Sequence, residues 1–422
     1  MQKNKAIQVF EHEKLLIGQQ NFTHSQWESL GWWYNQKHND RFLSLLPNGV
    51  KFNEHVGIIQ VGNKTIEILP KVDQQDTDKN KWQQVLINML RECHWMQQHA
   101  NQKAPLRIKH NSILDAYLEL FLNHCDIILH KGLVKKYKEE QSNKLALKGK
   151  LLFSQQIQHN SIHQERFFTR HTIYDKNNIF NQILLKAIHL IPKISRTIRL
   201  KDRVSRLLLD FPELNDIQVT KETFSKLIFN RKNYHYKEAI DIAAMLLLNY
   251  RPDIRGGNNH VLAILFDMNE LWEEYVYRQL RKNLKQGWYI KAQNQKRFWE
   301  EDSGYRYKII KPDIAIINDK DCVIIDTKWK LPENNIPSDQ DLKQMFVYNE
   351  YWTGKTALLL YPDKKYLKSP FFSSGSYKEK PSTIGTHKCS VLKMSVLNEA
   401  NNGLDSQFGN RIIKVLNDKI LN

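Results

Sequence analysis

The 422-residue sequence has only four cysteines, Cys93, Cys125, Cys322 and Cys389, with no C-x-x-C pair and no Cys/His cluster at zinc spacing. That scarcity argues against a disulfide scaffold or a zinc module and fits a reducing, cytoplasmic setting. Long apolar runs are missing too. Stretches such as Ala243 to Leu248 and Ala357 to Tyr361 fall far short of the ~18 residues that read as a membrane span, so no membrane insertion is expected. Glu11 and Glu13 interrupt the N-terminal stretch before a signal-peptide core forms. Neither an internal repeat nor a low-complexity tract is visible, which excludes solenoid and collagen-like architectures. The last shortage is of acid: 45 Asp plus Glu stand against 63 Lys plus Arg, a net +18. Such an excess points to an anionic partner, nucleic acid first and an acidic membrane surface second, beside the plainer reading of a basic soluble protein.

What is present is ample core material, 41% hydrophobic with 10 Trp, 17 Tyr and 18 Phe, enough for two or three domains. An α/β (α+β) multidomain chain is expected. Residues 1–75 read as a β-rich module: strands at Ala6 to Phe10 and Leu43 to Leu46, then a hairpin of Val56 to Val61 and Thr65 to Leu69 about Gly62, Asn63 and Lys64. Thr23 caps a short helix carrying Trp27, Leu30 and Trp33. Asp73 to Lys81 is a polar linker. Residues 76–255 are mainly helical, with apolar residues spaced by three and four over Trp82 to Met96, Ser112 to His130, Asn177 to Ile191 stopped by Pro192, and Tyr236 to Tyr250. The basic stretches Lys131 to Lys150 and Lys193 to Arg206 face DNA or are simply solvated. Arg251 to His260, with Pro252, Gly256 and Gly257, is the best interdomain break.

The segment 256–422 carries the chemistry. A helix is expected over Phe266 to about Leu284, then strands at Trp288 to Ala292, Tyr305 to Ile317 and Cys322 to Trp329. Symmetric pairing about the turn Asn318 to Asp321 sets Asp313 opposite Asp326, and Lys328 follows on the same face as Asp326. Two opposed carboxylates repel unless a cation lies between them, and hard oxygen donors suit Mg2+ or Mn2+ better than zinc. Phosphodiester hydrolysis commonly uses such an ion. A D-x-K triplet alone is common, and Pro362 to Lys365 repeats it in what reads as a loop without a second acid. A helix at Asp341 to Trp352 puts Gln344 and Tyr348 on one face, and Thr356 to Tyr361 is a further strand.

This helix, three strands, helix, strand order, with P-D, twelve residues and D-T-K, resembles the PD-(D/E)xK restriction-endonuclease superfamily. More of the chain, GIIQVGNKTIEILPKV from Gly57, FDMNELWEEYV from Phe266 and DLKQMFVY from Asp341, resembles the McrC family, nuclease subunits of McrBC restriction systems. The resemblance implies Asp313 and Asp326 as ligands of Mg2+ (or Mn2+), Lys328 as the catalytic lysine and Gln344 as a supporting residue. Glu273 is a further candidate acid, or a solvated helix carboxylate beside Glu270 and Glu274. Tyr348 reads as packing. Double-stranded DNA and a McrB-like AAA+ GTPase are the implied partners, the latter engaged by the N-terminal module. GTP belongs to that partner: Gly354, Lys355 and Thr356 spell G-K-T, but Asn349 replaces the first glycine of a P-loop and the helix-to-strand order is reversed, so Gly354 reads as a helix stop. Two other readings stay open, a catalytically silent DNA-binding adaptor that activates a GTPase and a solitary DNA repair nuclease.

Overall fold

The computed structural model describes residues 6–36, 39–62, 64–72, 77–93, 112–251, 260–302, 304–318, 321–354, 356–378 and 387–420. It is a mixed α/β structure in two compact units, Met1–Arg107 with Leu265–Asn422, and Ile108–Ile264. The first unit thus combines the N-terminal and C-terminal stretches of the chain, and the second is inserted between them.

In the first unit the chain opens with β1 (Ile7–Phe10), β2 (Lys14–Leu16), α1 (His24–Tyr34), β3 (Leu43–Leu46), β4 (Gly49–Phe52), β5 (His55–Val61), β6 (Lys64–Leu69) and α2 (Lys79–Glu92). The β5–β6 hairpin forms as its apolar strands require, with Gly57↔Ile68 to Val61↔Lys64 in antiparallel register, and β1 joins β6 in parallel. Thr23 caps α1 through a reciprocal box with Gln26. The small sheet β2-β4-β3 had no strand signal beyond Leu43 to Leu46, because its strands are three or four residues long. Of the expected linker, residues 73–76 lie outside the described residues, as does the end of the helix read to Met96.

The second unit holds α3 (Ile113–Lys131), β7 (Lys136–Lys144), β8 (Lys150–Leu151), α4 (Phe153–Asn160), β9 (Phe167–Asp175), α5 (Ile179–Ile194), α6 (Ile198–Asp210), α7 (Lys221–Ser225), α8 (Lys237–Asn249), β10 (Tyr250–Arg251) and the start of β11 (Val261–Asp267). Ser112 caps α3 and Gly132, at φ +86°, ends it. One expectation is corrected here, and one stretch takes a form the sequence left open. Within Lys131 to Lys150, β7 is one arm of a β-ribbon, paired from Lys136↔Asp175 to Lys144↔Phe167. KYKEEQSNK has no apolar alternation, so nothing in its pattern marks a strand. Pro192 does not stop α5, which runs to Ile194: the proline sits in the last turn, where it removes a single backbone bond. The proposed break at Arg251 to His260 lies largely in residues 252–259, outside the described residues.

Back in the first unit come α9 (Met268–Asn283), β12 (Tyr289–Ala292), β13 (Lys296–Glu300), β14 (Tyr307–Ile310), β15 (Ile314–Ile317), β16 (Cys322–Thr327), α10 (Asp339–Trp352), β17 (Thr356–Pro362), β18 (Phe371–Ser376), β19 (Lys388–Met394) and α11 (Phe408–Lys419). Phe266 belongs to β11, and α9, capped by Asp267, starts two residues later than expected, at Met268. The strand read as Tyr305 to Ile317 is two strands, because Pro312 has no N–H to continue a ladder. The six-stranded sheet has the order β12-β15-β16-β17-β19-β18, antiparallel among the first three and parallel across β16-β17-β19. α10 is the crossover between β16 and β17. It packs Met345, Tyr348 and Trp352 onto Ala315, Ile324, Ala357 and Leu359. α10 ends at Thr353, in the left-handed region at φ +52°, rather than at Gly354. Gly354 serves a close approach instead, since a Cβ there would stand 3.0 Å from the Cys322 carbonyl oxygen. Among the described residues, no helix is long and apolar enough to cross a membrane.

Candidate active site

The register of β15 against β16, Ile314↔Ile325 to Ile317↔Cys322, is the one the turn symmetry predicts. Asp313 stands one residue before β15, Asp326 is the penultimate residue of β16, and the two occupy opposing positions at the end of the ladder. The Thr327 N–H (2.7 Å) and Oγ1 (3.0 Å) both donate to Asp313 Oδ2, which fixes that carboxylate. Asp326 is only 1% exposed. Among the described residues no hydrogen bond of good angle reaches its Oδ2; the partner of that oxygen is the Lys328 ammonium, 2.7 Å away.

Lys328 lies just past β16, where its N–H donates to the Leu360 carbonyl and prolongs the ladder with β17. Its Nζ is 3.5 Å from Gln344 Oε1. Gln344 Nε2 donates to Tyr348 Oη (2.8 Å), and Tyr348 Oη donates to the Lys311 carbonyl (2.9 Å). The face of the sheet that bears Asp326 is the face α10 covers, and this is how Gln344 arrives beside Lys328. Tyr348 packs as its position suggested, with Trp352 edge-on at 5.8 Å, but its hydroxyl also orients Gln344.

Glu273, on α9, is half-buried rather than solvated. Gln293 Nε2 donates to Glu273 Oε1 (3.0 Å), Lys311 Nζ donates to Gln293 Oε1 (3.1 Å), and the Gln293 N–H donates to the Asp313 carbonyl (2.8 Å). Gln293 sits at φ +47°, a conformation that non-glycine residues rarely adopt and that the two-sided hydrogen bonding holds in place. Thr327, Gln293 and Lys311 escaped the sequence reading. Thr327, inside D-T-K, was the one with a signal, as the residue next to a proposed ligand.

Burial pushes the Asp326 carboxyl up to about 7, and the neighbouring Asp313 adds to the effect against the pull of Lys328. Burial also raises Asp313, opposed by the Thr327 hydrogen bonds and by Lys328 and Lys311. For Lys328, burial favours the neutral amine, but Asp326, Asp313 and Asp341 outweigh it and the pKa is raised. Burial, reinforced by Asp313, lifts Glu273 to about 7. The acids therefore share an excess of negative potential in a poorly hydrated place. A divalent cation would relieve it, and the hard carboxylate oxygens, with the buried Asp326 Oδ2 met among the described residues only by the Lys328 ammonium, fit Mg2+ or Mn2+. Among the described residues no group of three or more His, Cys, Asp or Glu side chains is placed to hold a metal ion, so an ion held by the two aspartates alone would take most of its ligands from water.

The family model of the McrBC 5-methylcytosine restriction system component matches residues 50–362. The chain belongs to this family. Two solved structures from Thermococcus gammatolerans are similar to the McrBC-family chain. One is the half-complex from a tetradecameric assembly of McrB AAA+ hexamers with bound McrC, at 19% identity and a TM-score of 0.70 over 98% of this chain and 100% of that one. The other is a McrBC complex, at 19% identity and a TM-score of 0.51 over 67% of this chain and 88% of that one. At that identity the likeness speaks for the fold. No curated protein sequence matches the chain.

Proposed function

We infer that the chain is the metal-dependent DNA endonuclease subunit of a McrBC-like restriction system, built on a PD-(D/E)xK core. In this reading it is assembled with an AAA+ GTPase whose GTP hydrolysis it stimulates, and residues 1–75 supply the surface that engages the GTPase. The observation that carries the reading is the meeting of Asp313, Asp326 and Lys328 at one end of the β15–β16 ladder, with Gln344 delivered by α10. The net charge of +18 suits a polyanionic substrate, and McrC in the Thermococcus gammatolerans structure is bound to McrB AAA+ hexamers.

Asp313 and Asp326 would hold the ion. Bound there, Mg2+ or Mn2+ would polarise the scissile phosphate and lower the pKa of a water. Thr327 keeps the Asp313 carboxylate from rotating away. Lys328, whose pKa is raised, stays protonated at neutral pH and so stabilises the negative charge that grows on the phosphoryl oxygens instead of accepting a proton. Gln344, itself held by Tyr348, limits where the ammonium can swing. Glu273 can hold or release a proton near pH 7 at the edge of the site.

Plasmid cleavage with magnesium and GTP, by the chain with and without a GTPase encoded beside it, tests the reading. Cutting that needs both proteins supports it. Cutting by the chain alone favours a solitary nuclease, and GTPase stimulation without cutting favours an adaptor.

A further inference from the structure

β13 and β14 form a two-stranded ribbon separate from the main sheet, and it is exposed along nearly its whole length. Its register is Lys296↔Ile310, Arg297↔Ile309, Trp299↔Lys308 and Glu300↔Tyr307, with a bulge at Phe298. Alternation therefore puts Arg297, Tyr307 and Ile309 on one face and Trp299 and Lys308 on the other. Large apolar groups are open to solvent on both sides: Trp299 is 52% exposed, Tyr307 53% and Ile309 46%. A monomer does not gain from such exposure, which marks a surface that something covers.

Three features identify the occupant. First, the ribbon is tied to the candidate site. Tyr307, Ile309 and Lys311 recur at every second residue, and Lys311 Nζ donates to Gln293, which donates to Glu273. Asp313 follows two residues later. Second, the ribbon is braced by the helix that orients Lys328: Phe298 packs on Tyr351 at 5.7 Å, and Tyr351 Oη donates to the Phe298 carbonyl. Third, its charge is graded. Glu300, Glu301 and Asp302 gather toward the turn, where Arg306 also lies, with Glu300 paired to Arg297 at 3.0 Å, whereas Lys296 and Lys311 lie at the base toward the site and Lys308 sits between, opposite Trp299. Among the described residues Lys308 has no ion-pair partner. Cations beside exposed aromatic rings, leading to a phosphodiester site, suit a nucleic acid, and the major groove of a duplex admits a two-stranded β-ribbon.

We propose that the β13–β14 ribbon is a duplex-engaging arm: Lys311 at its base and Lys308 along its length contact backbone phosphates, Trp299 and Tyr307 pack in the groove, and the scissile phosphodiester is thereby set against Asp313 and Asp326. This deepens the nuclease reading and rests on it. The test is fluorescence anisotropy of a fluorescein-labelled DNA duplex with the full chain in calcium, where binding is read without turnover. The double variant Lys308→Ala/Trp299→Ala should weaken binding about tenfold or more and reduce the log–log salt slope by about one, the share of one phosphate contact. Lys414→Ala, on the exposed side of α11, should change neither. In cleavage assays the double variant should raise KM and leave kcat within about twofold. Unchanged affinity and slope overturn the proposal. So does a variant that binds DNA normally but loses self-association in sedimentation, or GTPase stimulation, since the ribbon would then belong to a second copy or to the GTPase. If no assembly ever cuts DNA and the variant still weakens binding, the nuclease reading falls and the arm stands. If cutting proceeds with unchanged KM, the arm falls and the nuclease stands.

Discussion

Glu11 follows β1 and is 4% exposed, yet it is an acid. Its Oε1 accepts from the Lys71 N–H (2.7 Å) and from Trp329 Nε1 (2.9 Å), which ties the N-terminal strands to the residue after Lys328. Burial pushes its carboxyl up from 4.5 to about 7, with Asp267 and Glu54 adding to the shift and the two hydrogen bonds opposing it. Because the folded pKa is raised above the unfolded one, the folded state is favoured below pH 4.5 and loses that advantage as pH rises through about 7. At ~1.4 kcal/mol per pKa unit, ionised Glu11 costs roughly 3 kcal/mol at pH 8 and under about 1 kcal/mol at pH 5. Glu11→Gln keeps the acceptor oxygen and removes the charge. It should stabilise the first unit by up to roughly 3 kcal/mol at pH 8 and by about 1 kcal/mol or less at pH 5. All 10 tryptophans of the chain fall in that unit, so urea unfolding followed by tryptophan emission reads it selectively. An equal gain at both pH values, or a loss at pH 8, would refute the reasoning.

Thr327→Val deletes the Oγ1 bond to Asp313 and leaves the N–H bond, so the magnesium concentration for half-maximal cleavage should rise about tenfold, as for other residues that orient a ligand. An unchanged magnesium titration would show that Asp313 needs no such support. In the second unit, Asn181 is fully buried: Nδ2 donates to the Val134 and Lys176 carbonyls and Oδ1 accepts from Tyr236 Oη. Asn181→Ala strips partners from these groups and should cost about 2–4 kcal/mol, measured as faster hydrogen exchange in α5 and α8.

The ladder that opposes Asp313 and Asp326 was legible because its strands, IAII and CVIIDT, are apolar and flank a four-residue polar turn. Two of that turn's residues, 319 and 320, lie outside the described residues, but the pairing on either side follows the symmetry. The place of Gln344 on one helix face with Tyr348 was legible from spacing, whereas its part in the site came only from the family resemblance. Gln293 was not, since its role depends on a left-handed backbone after β12 and on a lysine that reaches it from another strand. The β7–β9 ribbon stayed hidden because backbone pairing holds it without an apolar face. The joining of the N-terminal and C-terminal stretches rests on contacts such as Glu11 to Trp329, 318 residues apart, which no local pattern encodes.

The central claim is that two aspartates at the end of one ladder hold an ion beside an ammonium and thereby cut DNA. Plasmid cleavage by the assembled complex, with GTP hydrolysis recorded in the same tube, tests it directly. Asp326→Asn and Lys328→Ala should each lower cutting by about a thousandfold, on the order of 4 kcal/mol of lost transition-state stabilisation, with GTP turnover unchanged. Cutting at the wild-type rate by either variant would contradict the account.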